Sequence, residues 1–186
     1  MKKQLLAVLF CFCCHFLIAQ SSKDISKYKV KAVTNTITKL VEGKEVTFKD
    51  SYERYDKNGN LLEEIKYDEK GGTEKKETFT YNKNNDVTEH IIYNPDGTIK
   101  KKEMKKYNSS NKKVEEIVLD GNNKQILKEV NTYNEHGDKT EKVIHNANGG
   151  VQKTVYTYDK NGFRTGKLVY NGKGVLLFAK KYHYDY

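Results

Sequence analysis

One phrase of this chain returns again and again. A marker that is usually tyrosine, an Asp or Asn, two further residues and then a Gly or Asn recur with a nearly regular beat. The marker positions are Tyr55, Tyr67, Tyr81, Tyr93, Tyr107, Leu119, Tyr133, His145, Tyr158 and Tyr170, and Tyr184-Asp185 opens a further copy. Successive spacings are 12, 14, 12, 14, 12, 14, 12, 13, 12 and 14 residues. The unit is therefore a pair of about 26 residues, a short half and a long half. A period of this length constrains the fold more than any single motif. Each unit is one supersecondary element that must lean on its neighbours to be stable.

The punctuation says which element. The residue after each marker is Asp or Asn, and three residues further on stands Gly or Asn. Asp56 with Gly59, Asn94 with Gly97, Asn134 with Gly137 and Asp159 with Gly162 illustrate it, and these eight are the expected structural turn residues. A short oxygen-bearing side chain at the first turn position accepts backbone N–H bonds. Gly or Asn tolerates a positive φ at the last. The sole proline, Pro95, takes the second turn position, where its fixed φ fits. The pattern predicts a type I turn closed by a glycine bulge, a common hairpin connection.

Between the turns lie segments of about 8 and 10 residues. Period-two alternation then puts every marker on one side of the sheet, together with the glutamates four residues earlier, Glu63, Glu77, Glu89, Glu103, Glu115, Glu129 and Glu141. Lys75, Lys101, Lys113 and Lys139 can stand between those carboxylates. The 13-residue spacing predicts a bulge or irregular pairing near Gly149-Gly150. Upstream, Tyr28–Leu40 and Glu45–Tyr55 read as two further strands about a corner at Glu42-Gly43-Lys44. No window carries a helical apolar period. The expected fold is all-β: an antiparallel hairpin meander of about twelve strands in an elongated, twisted or curled repeat sheet. A tyrosine-rich face would be concave. A closed β-barrel is the alternative, since closure removes exposed edges.

The stretches Tyr55-Asp56-Lys57-Asn58-Gly59-Asn60-Leu61, Tyr67-Asp68-Glu69-Lys70-Gly71 and Tyr158-Asp159-Lys160-Asn161-Gly162-Phe163-Arg164 resemble the YD repeat of RHS-type bacterial surface proteins. The similarity runs from Tyr55 to Tyr186. It implies antiparallel hairpins in a curved strip and a binding or shell role in a secreted or surface protein. The chain shows neither a toxin domain nor the Pro/Asp-rich cap that closes a large shell, so enclosure of cargo by this chain alone is not expected.

The N-terminus gives a compartment. Met1-Lys2-Lys3 precedes an apolar run from Leu5 to Ala19, after which the chain turns polar. That is the layout of a secretory signal peptide over residues 1–19. Residues 20–54 then form N-terminal capping strands and 55–186 the repeats. Cys11, Cys13 and Cys14 all fall in the apolar run, so a chain processed near Gln20 keeps no thiol. The expected location is exported: periplasm, outer surface or medium. A lipid anchor is the alternative, disfavoured because bulky Phe10, Phe12 and Cys13 precede the cysteines. No second apolar segment is long enough for a helical membrane span, so none is expected in the mature chain.

Chemistry is sparse. A calcium loop needs several converging carboxylates, whereas the copy at Asn108-Ser109-Ser110-Asn111 has none. His90, His136, His145 and His183 lack zinc spacing. No catalytic residue, metal ligand or cofactor site is expected. The glutamate row could mimic the paired carboxylates of a glycoside hydrolase, but a feature repeated on seven strands reads as structure. Tyr81, Tyr93, Tyr107 and Tyr133 are the candidate ligand contacts, since exposed tyrosines suit protein or sugar surfaces. The functional expectation is an exported non-enzymatic repeat module that binds or scaffolds a protein or glycan at the cell envelope. The alternative is a carbohydrate or polyanion binder using Tyr and Lys, suggested by the 32 basic and 25 acidic residues, a net +7, that remain once Lys2 and Lys3 are removed. Nucleic acid fits poorly with export.

Overall fold

The computed structural model describes residues 22–185. The expected signal peptide, with its cysteines, lies outside the described residues. A short helix, α1 (Ser22–Lys27), precedes twelve strands. These are β1 (Ala32–Val41), β2 (Lys44–Tyr55), β3 (Leu61–Tyr67), β4 (Thr73–Tyr81), β5 (Val87–Tyr93) and β6 (Ile99–Tyr107), then β7 (Lys113–Asp120), β8 (Gln125–Tyr133), β9 (Lys139–Asn146), β10 (Val151–Tyr158), β11 (Arg164–Asn171) and β12 (Leu176–Lys181). All twelve lie in one sheet in chain order, each antiparallel to the next. The first and last strands do not pair with each other, so the barrel alternative is ruled out.

The sheet is a single layer. Only Ile25, Val118 and Val169 are buried apolar residues among those described. Most strand side chains are half-buried on both faces, resting on their cross-strand neighbours. Stability therefore comes from turns, ladders and side-chain rows rather than a core.

Every repeat turn has one geometry. In the first, the Gly59 N–H donates to the Asp56 carbonyl at 3.1 Å and the Asp56 N–H to the Asn60 carbonyl at 2.9 Å. The Asp56 carboxylate accepts from the Asn58 N–H at 2.8 Å and the Asn60 N–H at 2.9 Å. The same closing bond runs from the Gly97 N–H to the Asn94 carbonyl at 2.9 Å and from the Gly137 N–H to the Asn134 carbonyl at 3.0 Å. The closing residue is left-handed whether it is Gly or Asn: φ is +79° at Gly59, +84° at Gly97, +83° at Gly137 and +63° at Asn85. The Glu42-Gly43 corner differs, with both residues at positive φ, 51° and 78°. That is the signature of a two-residue type I′ turn.

The N-terminus departs from expectation. Tyr28–Leu40 is not one strand: the chain is helical over Ser22–Lys27, turns through Lys29 at φ +54°, and enters β1 only at Ala32. Asp24 and Lys27 suit the two ends of the helix dipole. Ile25, 1 % exposed, is its anchor. The Ser26 hydroxyl donates to the Lys57 carbonyl at 3.1 Å, so the helix covers the first turn. Six residues are too few to display a helical period.

The markers do not share one face. Beside each turn from β2 to β12, except one, the register slips by a residue. Tyr67 pairs with Thr73 while Lys66 pairs with Lys75, leaving Glu74 bulged. Each bulge reverses the alternation. Tyr55, Tyr81, Tyr107, Tyr133 and Tyr158 consequently project from what we term the front face. Tyr67, Tyr93 and Tyr170 project from the back. The glutamate row divides in the same way: Glu77, Glu103 and Glu129 stand in front, Glu63, Glu89, Glu115 and Glu141 behind. Neither a single glutamate row nor a single tyrosine face exists.

The exception is the β9–β10 hairpin. His145 pairs with Val151 and Ile144 with Gln152, in unbroken register. The pairing there does depart from that of the other repeat hairpins, but by a missing bulge and not an added one. The lost residue is the bulged one, so Tyr158 still reaches the front face.

Candidate functional site

The sheet edge bearing the turns after β2, β4, β6, β8 and β10 is the most regular part of the molecule. The eight expected turn residues do not form one row, because alternate hairpins turn at opposite edges. Asp56 and Gly59, Asn134 and Gly137, and Asp159 and Gly162 belong to this edge. Asn94 and Gly97 join β5 to β6 at the opposite one. Around Gly97 a Cβ would meet nothing within 4 Å, whereas at Gly137 it would touch the Lys112 side chain at 3.4 Å, across from the neighbouring turn. Successive turns of the regular edge are tied by side chains: Asn60 Nδ2 donates to Asn85 Oδ1 at 2.7 Å, and Asn84 Nδ2 to Asn111 Oδ1 at 2.6 Å. Just inside stands a column of tyrosines. The Tyr81 hydroxyl donates to the Leu61 carbonyl, Tyr107 to Val87 and Tyr158 to Lys139, each at 2.8 Å, and Tyr133 to Lys113 at 2.9 Å. Each ring spans back to the hairpin before it.

Of the four candidate contact tyrosines, Tyr81, Tyr107 and Tyr133 are thus brought together, with their hydroxyls already committed to backbone. Burial, the largest influence, pushes all three phenols up from their ordinary range, and the nearby Asp56 carboxylate adds to this at Tyr81. Tyr93 stands apart on the back face near the other edge, its hydroxyl 3.4 Å from Thr78 Oγ1 and its ring 5.4 Å from Lys76 Nζ.

The middle of the front face over β3–β8 is a lattice of opposite charges. Lys101 Nζ lies 2.7 Å and Lys105 Nζ 3.3 Å from Glu103, and Lys113 bridges Glu116 and Glu129. Within it His90 stacks on Phe79, ring centroids 4.5 Å apart. Its two ring nitrogens lie 3.4 Å from Glu77 and Glu103 respectively. Burial pushes the Glu103 carboxyl up, but Lys101 and Lys105 outweigh it and hold the group at about 2. Glu129 is likewise lowered on balance: burial opposes ionisation, and Asn131 and Lys113 overcome it. A glycosidic general acid needs the opposite shift. Among the described residues no three His, Cys, Asp or Glu side chains converge as metal ligands.

A cleft of about 630 Å³ opens between α1 and the sheet. Val30, Ala32, Tyr52 and Tyr55 line it, with Lys31 and Arg54 among its walls. At the other end of the sheet the charge lattice lapses. Arg164 lies over the Tyr156 ring at 4.5 Å, Lys167 over Phe178 at 5.9 Å and Lys180 over Tyr182 at 4.8 Å. Sequence reasoning gave Arg164 no role. The available signal was its rarity: in a lysine-rich chain, Arg54 and Arg164 are the only arginines.

No family model matches this chain, and no curated protein matches it. Its fold is similar to part of the crystal structure of TcdB2-TccC3-Cdc42, with a TM-score of 0.51 and 9% identity, over 83% of this chain and 10% of that one. The chain therefore spans about a tenth of that neighbour's length. A porin-like protein from Bacteroides uniformis matches with a TM-score of 0.43 and 10% identity, over 80% of this chain and 82% of that one.

Proposed function

We propose that this chain is an exported, non-enzymatic repeat module that binds or scaffolds partners at the cell envelope. The single observation that carries the reading is the one-layer sheet. It spends 12 strands on two accessible faces and buries almost nothing between them. Such an architecture presents surface instead of enclosing a site. The short polar turns keep the strands in register, and the charge lattice keeps the faces hydrated. The YD-like turns and the basic-then-apolar N-terminus are consistent with a surface or secreted role.

The test is fractionation with mass spectrometry of the intact chain, followed by crosslinking in the source cells. The expected result is a species beginning near Gln20, outside the cytoplasm, crosslinked to an envelope component. Recovery of the full-length chain from the cytosol overturns the reading.

A further inference from the structure

On the front face, ion pairing stops at β9. Over β3–β8 the cations of that face meet carboxylates: Lys75 with Glu64 and Glu77, Lys101 and Lys105 with Glu103, Lys113 with Glu116 and Glu129. On β9–β12 the same face carries Lys139, Lys142, Arg164, Lys167 and Lys180. Lys142 reaches Glu129 at 3.9 Å. Among the described residues, Lys139, Arg164, Lys167 and Lys180 have no carboxylate within 4.0 Å. Lys167 and Lys180 even stand directly opposite each other, a like-charge pair that costs stability. Arg164 Nη2 donates to the Tyr158 hydroxyl at 3.4 Å in place of a carboxylate.

We propose that this front surface of β9–β12 is a docking site for an extended acidic segment of a partner protein. The proposal rests on the binding-module reading above and names the partner's chemistry. Charge complementarity supplies the first argument. The four unmatched cations lie on β9, β11 and β12, and the rest of the face shows what satisfies such cations in this lattice: glutamate side chains. A second copy of the chain fits less well, because without Lys2 and Lys3 the processed chain still holds 32 basic against 25 acidic residues, a net +7, and two copies repel. An apolar neighbour supplies the second argument. Phe178, paired with Val169, is 50% exposed on this surface. A polypeptide mixing Glu or Asp with aliphatic residues matches both features, whereas a sulfated or carboxylated glycan matches the charge and brings no aliphatic side chain to Phe178. The cations over Tyr156, Phe178 and Tyr182 also occupy ring faces that a nucleic-acid base would need.

The experiment is fluorescence anisotropy on the full chain with a labelled peptide of alternating Glu and Leu. A Lys-Leu peptide and a polysulfated glycan serve as comparison probes. The Glu-Leu peptide should bind saturably and weaken with added salt. Affinity should fall about tenfold in R164Q/K167Q/K180Q and about threefold in F178A, which keeps every charge. The triple variant K44Q/K83Q/K112Q removes the same charge from exposed positions elsewhere and should bind like the parent. Equal loss in both triple variants overturns the site. So does equal binding of the Lys-Leu peptide, or glycan binding that depends on Arg164, Lys167 and Lys180 when the acidic peptide does not bind. If crosslinking to the envelope component survives in R164Q/K167Q/K180Q and the peptide fails to bind, this site falls and the module reading stands.

Discussion

The hydroxyl of Tyr107 donates to the backbone carbonyl of Val87 at 2.8 Å, one hairpin pair earlier in the chain. The same contact links Tyr81 to Leu61 and Tyr133 to Lys113. In a sheet without a core, these bonds add a side-chain tie between neighbouring strands, β3 to β4, β5 to β6 and β7 to β8, along one edge. Replacing Tyr107 by Phe keeps the ring and removes the bond. The expected cost is about 1 kcal/mol, read from urea unfolding. An unchanged midpoint would show that the tyrosine column serves something other than stability.

Two glycines of nearly equal φ should differ in consequence. Gly59 and Gly162 lie at φ +79° and +82°. A Cβ on Gly162 meets nothing within 4 Å, but one on Gly59 would come within 2.1 Å of the Ser22 carbonyl oxygen. Gly162→Ala should cost about 1 kcal/mol, the penalty for forcing an L-residue left-handed. Gly59→Ala should cost more and should also release α1. Hydrogen exchange at Tyr28 and Val30, whose N–H groups bond back to Asp24 and Ile25, reads that release directly. Equal effects at both glycines would argue against helix docking on the first turn.

The β9–β10 hairpin shows that a unit can lose its bulge and keep its faces. Deleting Glu74, the bulged residue of β3–β4, should therefore be tolerated at a cost under about 1 kcal/mol. Deleting Lys76, inside the paired part of β4, should cost several times more, because it turns Phe79 and Tyr81 to the wrong face. Thermal melts of the two deletions compare the costs, and similar losses would count against the parity rule.

Acid should weaken the lattice in a defined window. The Glu103 carboxyl is held at about 2 against an ordinary 4.5, and Glu63, Glu115 and Glu129 are also depressed. A depressed folded pKa means that the unfolded chain takes up protons first. The stabilisation is thus complete above about pH 5 and is lost as the pH falls through the Glu103 value near 2. Below about pH 5 the melting temperature should decline as these carboxylates are protonated. Glu103→Gln should lower it by the equivalent of about 1 kcal/mol at pH 7 and flatten that decline.

Much of this architecture was legible because its determinants are local. Asp56 and Gly59, and the equivalent residues nine times over, specify a hairpin within six residues, and hairpins in series leave a meander as the only simple topology. Strand order needed nothing more. What the repeat could not reveal was which way each side chain points. A bulge such as Glu74 exists only in the pairing of two strands, and one unread bulge per turn reverses every face assignment beyond it. That is why seven glutamates that look equivalent in sequence divide between two faces. It is also why Tyr93 parts from Tyr81, Tyr107 and Tyr133, as Gly97 parts from Gly137 by turning at the other edge. The helix over Ser22–Lys27 was hidden for a related reason: it is stabilised by docking on a turn more than thirty residues away, not by its own period. The sequence by itself determined the corners and their order, because turn chemistry acts over a few bonds. The tertiary structure decided the faces, and with them the unmatched cations of Arg164, Lys167 and Lys180, because facing and charge pairing are properties of the ladder and not of the strand.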